Sequence, residues 1–137
     1  MTDFGTWSRR ACLSLLAGVT AAAANAQAQA SDPMRAFDLN NDDVLDIAEV
    51  RTAAAARFDE MNPDGDDALD PREAAPAMTA EQFRQADKQN RGVITKAEYL
   101  AYVERMFLQA DPDGDGALYR ADLETGQGQI VLRLIGR

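Results

Sequence analysis

The chain has 137 residues, 23 acidic and 14 basic side chains, a net charge of −9, no histidine and one cysteine, Cys12. That length suits one domain. The absence of histidine and the lone cysteine exclude imidazole acid–base catalysis, an internal disulfide and His/Cys zinc centres, while the acidic balance argues against nucleic acid and anionic lipid and for cations.

Residues 1–30 read as an export signal. Arg9 and Arg10 form a positive start, and Ala11 to Ala24 form an apolar stretch. Three overlapping small-x-small sites follow, within Ala24 to Ala30. The apolar stretch is shorter than the about 20 residues a bilayer span needs, so no membrane attachment is expected after cleavage. Ser8-Arg9-Arg10-Ala11-Cys12-Leu13 resembles a twin-arginine signal, and the general secretory route stays open beside it. Both routes imply a bacterial periplasmic protein. Cleavage would remove Asp3, Arg9 and Arg10 along with Trp7 and Cys12, so the remaining chain, 31–137, carries −10.

Four twelve-residue segments then repeat one pattern of oxygen-bearing residues. Loop 1 is DLNNDDVLDIAE (38–49), loop 2 NPDGDDALDPRE (62–73), loop 3 DKQNRGVITKAE (87–98) and loop 4 DPDGDGALYRAD (111–122). A hard cation needs six or more oxygens converging on one point. Positions 1, 3, 5, 7 (a backbone carbonyl), 9 and 12 supply them in the EF-hand pattern that these segments resemble. Loop 1 offers Asp38, Asn40, Asp42, the carbonyl of Val44, Asp46 and Glu49. Loop 2 offers Asn62, Asp64, Asp66, the carbonyl of Ala68, Asp70 and Glu73. Loop 4 offers Asp111, Asp113, Asp115, the carbonyl of Ala117 and Asp122, with Tyr119 leaving position 9 to water. Asp43 and Asp67 stand at position 6, where a positive φ is expected and Asp tolerates it better than most residues.

Loop 3 keeps the frame through Asp87, Gly92, Ile94 and Glu98 and loses the ligands. Gln89 is a neutral donor, and Arg91 at position 5 puts a fixed positive charge where the ion would sit. A structural role is expected for it, pairing with another loop through Ile94. Position 8 is apolar in all four loops (Leu45, Leu69, Ile94, Leu118), as needed for a short strand that joins two loops.

The segments between loops are short: Val50 to Met61, Ala74 to Ala86 and Tyr99 to Ala110. Each has room for one helix of about three turns. The expected fold is therefore all-α, a compact helical bundle whose four closely spaced loops share helices. Val50, Ala54, Phe58 and Met61 make one apolar stripe, and Leu100, Val103, Phe107 and Ala110 another. Phe58, Phe83 and Phe107 each precede a loop by four residues, and Met34 takes that place before loop 1. In the middle segment Pro76 should break any helix leaving loop 2, and Thr79 with Gln82 reads as a capping box that starts another. That interruption is a hinge or simply a bend. Past loop 4, Gly126 and Gly128 are expected to interrupt the chain. Ile130, Val131, Leu134 and Ile135 then recur at helical spacing, as a last helix on the bundle or as an amphipathic tail for a partner.

Together these residues resemble the lanmodulin family, periplasmic lanthanide-binding EF-hand proteins of methylotrophic bacteria. The resemblance runs from about Ala36 to Ile135. It rests on the short interloop spacing, Pro63 and Pro112 at loop position 2, Asp46 and Asp70 at position 9, and the run Lys96-Ala97-Glu98-Tyr99-Leu100 leading into loop 4 and a Gly/Leu/Ile-rich tail. It implies selective binding of lanthanide(III) ions (La, Nd or similar) over Ca2+, ordering on metal binding, and a role in handling lanthanides for periplasmic alcohol dehydrogenases. The chain departs from the family at Leu39 and Lys88, which replace Pro, and at Thr95 and Tyr119 at position 9. The residues themselves support a preference for trivalent ions, because each carboxylate gains more from a 3+ than from a 2+ ion. An ordinary extracytoplasmic calcium-binding protein, buffer or sensor, is the alternative. A metal-dependent protein partner or a homodimer stays open. No enzyme is expected, because the carboxylates belong to the loops and no nucleophile–base arrangement is visible.

Overall fold

The computed structural model describes residues 32–136. The export segment expected over residues 1–30 lies outside them. Helix covers 57% of the described residues in seven segments, with small sheets between them. In chain order these are α1 (Pro33–Phe37), β1 (Leu45–Asp46), α2 (Ile47–Met61), β2 (Ala68–Leu69), α3 (Pro71–Ala74), α4 (Ala80–Ala86), β3 (Ile94–Thr95), α5 (Lys96–Ala110), β4 (Ala117–Leu118), α6 (Arg120–Leu123) and α7 (Gly126–Ile135). None of these helices is long and apolar enough to cross a membrane.

Local sequence sets where each helix begins. Asp46 caps α2, accepting from the amide of Glu49 while the Glu49 side chain reaches back to the amide of Asp46. Asp70 with Glu73, Thr79 with Gln82 and Thr95 with Glu98 repeat this reciprocal box at α3, α4 and α5. Each cap satisfies amides that the first turn cannot satisfy itself, and each contributes about 1 kcal/mol.

α2 and α5, of 15 residues each, are the two long rods. α2 carries the chain from loop 1 into loop 2, and α5 from loop 3 into loop 4. They run antiparallel side by side. Arg51 pairs with Glu104 (3.1 Å) near one end, and Asp59 with Lys96 (2.8 Å) near the other. The expected stripes form the core: Val50, Ala54, Phe58 and Met61 from α2, and Val103, Phe107 and Ala110 from α5, with Leu100 partly buried against it. Phe58 meets Tyr99 with ring centroids 5.8 Å apart. Burying each large side chain of this kind stabilises the fold by about 1.5–3 kcal/mol.

The middle segment behaves differently, as Pro76 demands. α3 stops at Ala74, and the amides of Ala77 and Met78 turn back to the Ala74 carbonyl (both 3.0 Å). Ala77 and Met78 are buried. The interruption is a packed bend.

α7 corrects the expected break at Gly126 and Gly128. Both glycines lie inside the helix, whose N-cap is Thr125, accepting from the Gly128 amide. A Cβ on Gly128 would overlap the backbone of Asp122 and Leu123, so glycine lets α7 close against α6. Val131, Leu134 and Ile135 are buried, and the Tyr99 hydroxyl donates to the Leu134 carbonyl. The tail is thus a packed helix of the bundle, held on α5 and α2.

Two short antiparallel ladders join the loops. β1 pairs with β4, placing Leu45 opposite Leu118 and Asp46 opposite Ala117. β2 pairs with β3, placing Ala68 opposite Thr95 and Leu69 opposite Ile94. All four position-8 side chains are fully buried. Loop 1 therefore partners loop 4, and loop 2 partners loop 3.

Candidate metal centres

The four loops share one backbone path. Positions 4 and 6 are left-handed in each: Asn41 and Asp43, Gly65 and Asp67, Asn90 and Gly92, Gly114 and Gly116, with φ between 52° and 83°. Such a conformation disfavours residues with a Cβ, and Asn and Asp bear it best. Position 6 was expected from the sequence. Position 4 was not, although its Asn/Gly/Asn/Gly series is the signal that carries it.

Position 1 fastens this path. In loop 1 the Asp38 carboxylate accepts from the amides of Asn41 (2.6 Å) and Asp43 (3.0 Å). In loop 3 Asp87 accepts from Arg91 (3.0 Å) and Gly92 (2.7 Å), and in loop 4 Asp111 accepts from Gly114 (2.7 Å) and Gly116 (2.9 Å). Loop 2 has a neutral equivalent, Asn62 Oδ1 accepting from Gly65 (3.0 Å). Position 5 adds a second fastening where it is Asp: Asp42, Asp66 and Asp115 each accept from the amide of position 7, at 3.0–3.1 Å.

Loop 4 brings its carboxylates closest. Asp111, Asp113 and Asp115 each present an oxygen, and the three oxygens lie within 4.8 Å of one another. Among the described residues this is the one group of three acidic side chains so gathered. Its electrostatics are those of crowded negative charge. The Gly116 amide, ahead of other backbone donors, holds the Asp111 carboxyl below its ordinary range. Asp113 is pushed up, first by its hydrogen bond with Asp111 and further by the charge of Asp115. The Tyr119 hydroxyl donates to Asp115 Oδ2 (2.9 Å), and that bond raises the phenol's pKa. Asp122 Oδ2 accepts the Tyr119 amide (2.9 Å). An all-oxygen donor set of this kind fits a hard cation of charge two or three.

Loops 1 and 2 hold their predicted residues in the same frame without drawing three carboxylates that close. In loop 1 Asn40 Nδ2 donates to Asp42 Oδ2 (2.9 Å). Glu49 folds over the loop, its Oε1 accepting from the amides of Leu39 (2.8 Å) and Asn40 (3.3 Å). In loop 2 Asp64 Oδ1 accepts from the Asp66 amide (3.4 Å), and Glu73 Oε2 from the Asp70 amide (2.9 Å). Asp46 and Asp70, predicted as ligands at position 9, also serve as the N-caps of α2 and α3. Position 9 with position 12 is a capping box in loops 1 to 3, a signal present in the sequence as Asp46/Glu49, Asp70/Glu73 and Thr95/Glu98.

Loop 3 closes on a side chain. Arg91 Nη2 donates to Glu98 Oε2 at 2.8 Å, and the Thr95 amide (2.9 Å) and hydroxyl (3.0 Å) donate to the same oxygen. The Thr95 amide above all, helped by its hydroxyl and by the Arg91 guanidinium, holds the Glu98 carboxyl low despite its burial. Burial would raise Asp87, but the amides of Gly92, Arg91 and Asn90 and the Arg91 charge outweigh it and hold that carboxyl low as well.

The chain matches no known family and no curated protein.

Proposed function

We propose that this protein is an exported EF-hand metal-binding protein of the lanmodulin kind, taking up trivalent lanthanide ions through loops 1, 2 and 4 and ordering as they bind. The observation that carries this reading is the common loop path. Four twelve-residue loops turn left-handed at the same two positions, and loop 4 gathers three carboxylates on that path. Three trivalent ions would nearly neutralise the −10 of residues 31–137, and three divalent ions would not. Neutralisation removes the self-repulsion that opposes compaction, so binding and ordering are coupled.

One observation favours calcium as the second reading. Asp46 and Asp70 cap helices, so part of the extra negative charge at position 9 is spent on backbone amides. A competitive titration of chelator-treated protein with La3+ and Ca2+, followed by far-UV circular dichroism, separates the two. The lanthanide reading expects helix to form with La3+ well below the calcium concentration that does the same. Equal response to both ions would leave an ordinary calcium protein, and response to neither would end the cation reading.

A further inference from the structure

We propose that Arg91 is a built-in cation that closes loop 3 without metal and, through the ladder shared with loop 2, positions loop 2 for its own ion. The inference rests on the cation-binding reading of loop 2.

Arg91 stands at position 5, where the other loops have Asp42, Asp66 and Asp115. From there its guanidinium reaches the position-12 carboxylate of its own loop, Glu98, at 2.8 Å. An ion in an EF-hand makes the same link between the front of the loop and its last residue. Arg is protonated at every accessible pH, so this internal charge does not come and go with the medium. The Glu98 side chain is only 13% exposed, which strengthens the pair relative to a surface one.

The closure reaches loop 2 through one residue. The Glu98 oxygen that takes the guanidinium also takes the Thr95 amide and hydroxyl. Thr95 lies opposite Ala68 in the β2–β3 ladder, and Ala68 is the position-7 residue whose carbonyl is the expected backbone ligand of loop 2. Fixing Thr95 therefore fixes the strand that carries that carbonyl. A site whose partner is already ordered has less entropy to lose on binding. Loops 1 and 4 have no such support, because each is acidic and each is the other's partner. The expected sequence of filling is loop 2 first, then loops 1 and 4 together.

The test uses the full chain, stripped with chelator and then titrated with La3+, read by amide NMR at Gly65 for loop 2 and Gly114 for loop 4. Arg91→Gln should weaken La3+ at loop 2 by about fivefold or more, the lower end of ordinary site-to-site coupling, and leave the loop 4 midpoint in place. Arg91→Lys, which keeps the charge, should restore most of the loss. In the metal-free protein Arg91→Gln should also speed amide exchange along the β2–β3 ladder and leave β1–β4 exchange alone. An unchanged loop 2 midpoint with unchanged ladder exchange overturns the proposal, and so does an equal loss at loops 2 and 4, which would mark general destabilisation. If the wild-type chain responds to neither La3+ nor Ca2+, the cation reading falls, and the metal-free exchange comparison still decides whether Arg91 closes loop 3.

Discussion

The loop 1/loop 4 pair and the loop 2/loop 3 pair are built on one plan and solve one problem differently. Both join two loops by a two-residue ladder, bury an apolar position-8 residue from each, and set positions 4 and 6 left-handed. In the first pair every position-5 residue is Asp, and loop 4 holds three carboxylates within 4.8 Å of each other. In the second pair one loop carries its own positive charge and has an ion pair at its mouth. The difference teaches that one loop path accepts opposite charges at position 5: Asp42, Asp66 and Asp115 accept a backbone amide there, whereas Arg91 reaches across to Glu98 at 2.8 Å.

The largest effect is expected from cutting a ladder. Leu118→Ala removes a fully buried side chain opposite Leu45 and should cost about 3 kcal/mol in urea unfolding. It should also uncouple loops 1 and 4 while the loop 2 midpoint stays in place. Leu69→Ala should cost a similar amount and spare the first pair. A single transition that loses all sites equally in either variant would remove the distinction between the pairs.

Next comes the loop 4 carboxylate group. Asp113→Asn removes one of three crowded charges and should weaken La3+ at loop 4 by about tenfold, on the scale of a lost charge-assisted contact. The same change should slightly stabilise the metal-free protein, because Asp113 is the carboxylate that its neighbours push up. Stronger binding after this substitution would show that loop 4 does not use the group for a cation.

A smaller effect separates the two duties of position 9. Asp70→Ser keeps an oxygen to cap α3, so metal-free stability should change by less than about 0.5 kcal/mol, while Asp70→Ala should lose about 1 kcal/mol. Both should weaken the ion at loop 2. If Asp70→Ser binds as the wild type does, Asp70 is a cap and not a ligand.

The smallest effect concerns acid. Asp87 and Glu98 are both held below their ordinary values of 3.8 and 4.5 in the folded loop 3. Folded carboxyls with depressed values stabilise the fold above their unfolded pKa and lose that contribution as pH falls through the folded one. Ladder β2–β3 should therefore keep its amide protection at pH values above 4.5 and lose it only in stronger acid. Loss of protection already above the ordinary values would contradict the ion pair.

Much of this was readable along the chain. The loop boundaries, the cap at Thr79, the stop before Pro76 and the stripe from Val50 to Met61 all rest on residues a few positions apart, and local patterns encode them. Asp46 and Asp70 were legible as loop residues but not as caps, because a carboxylate at that spacing satisfies both patterns at once. Gly126 and Gly128 read as a break because glycine weakens a helix on its own. Only the contact of α7 with the Asp122 backbone explains why they sit inside one.

The sequence by itself determined the four loops, their likeness, the replacement of Asp by Arg91 at position 5 of loop 3 and the helices that share them, since each follows from near neighbours. The tertiary structure alone decided which loop meets which. Leu45, Leu69, Ile94 and Leu118 are nearly interchangeable, so no local pattern assigns partners. The rods do. An unbroken 15-residue helix, roughly 22 Å long, keeps loop 1 away from loop 2 and loop 3 away from loop 4. The bend at Ala77 and Met78 turns the chain back, sets α5 antiparallel to α2, and leaves loops 1 and 4 at one end and loops 2 and 3 at the other.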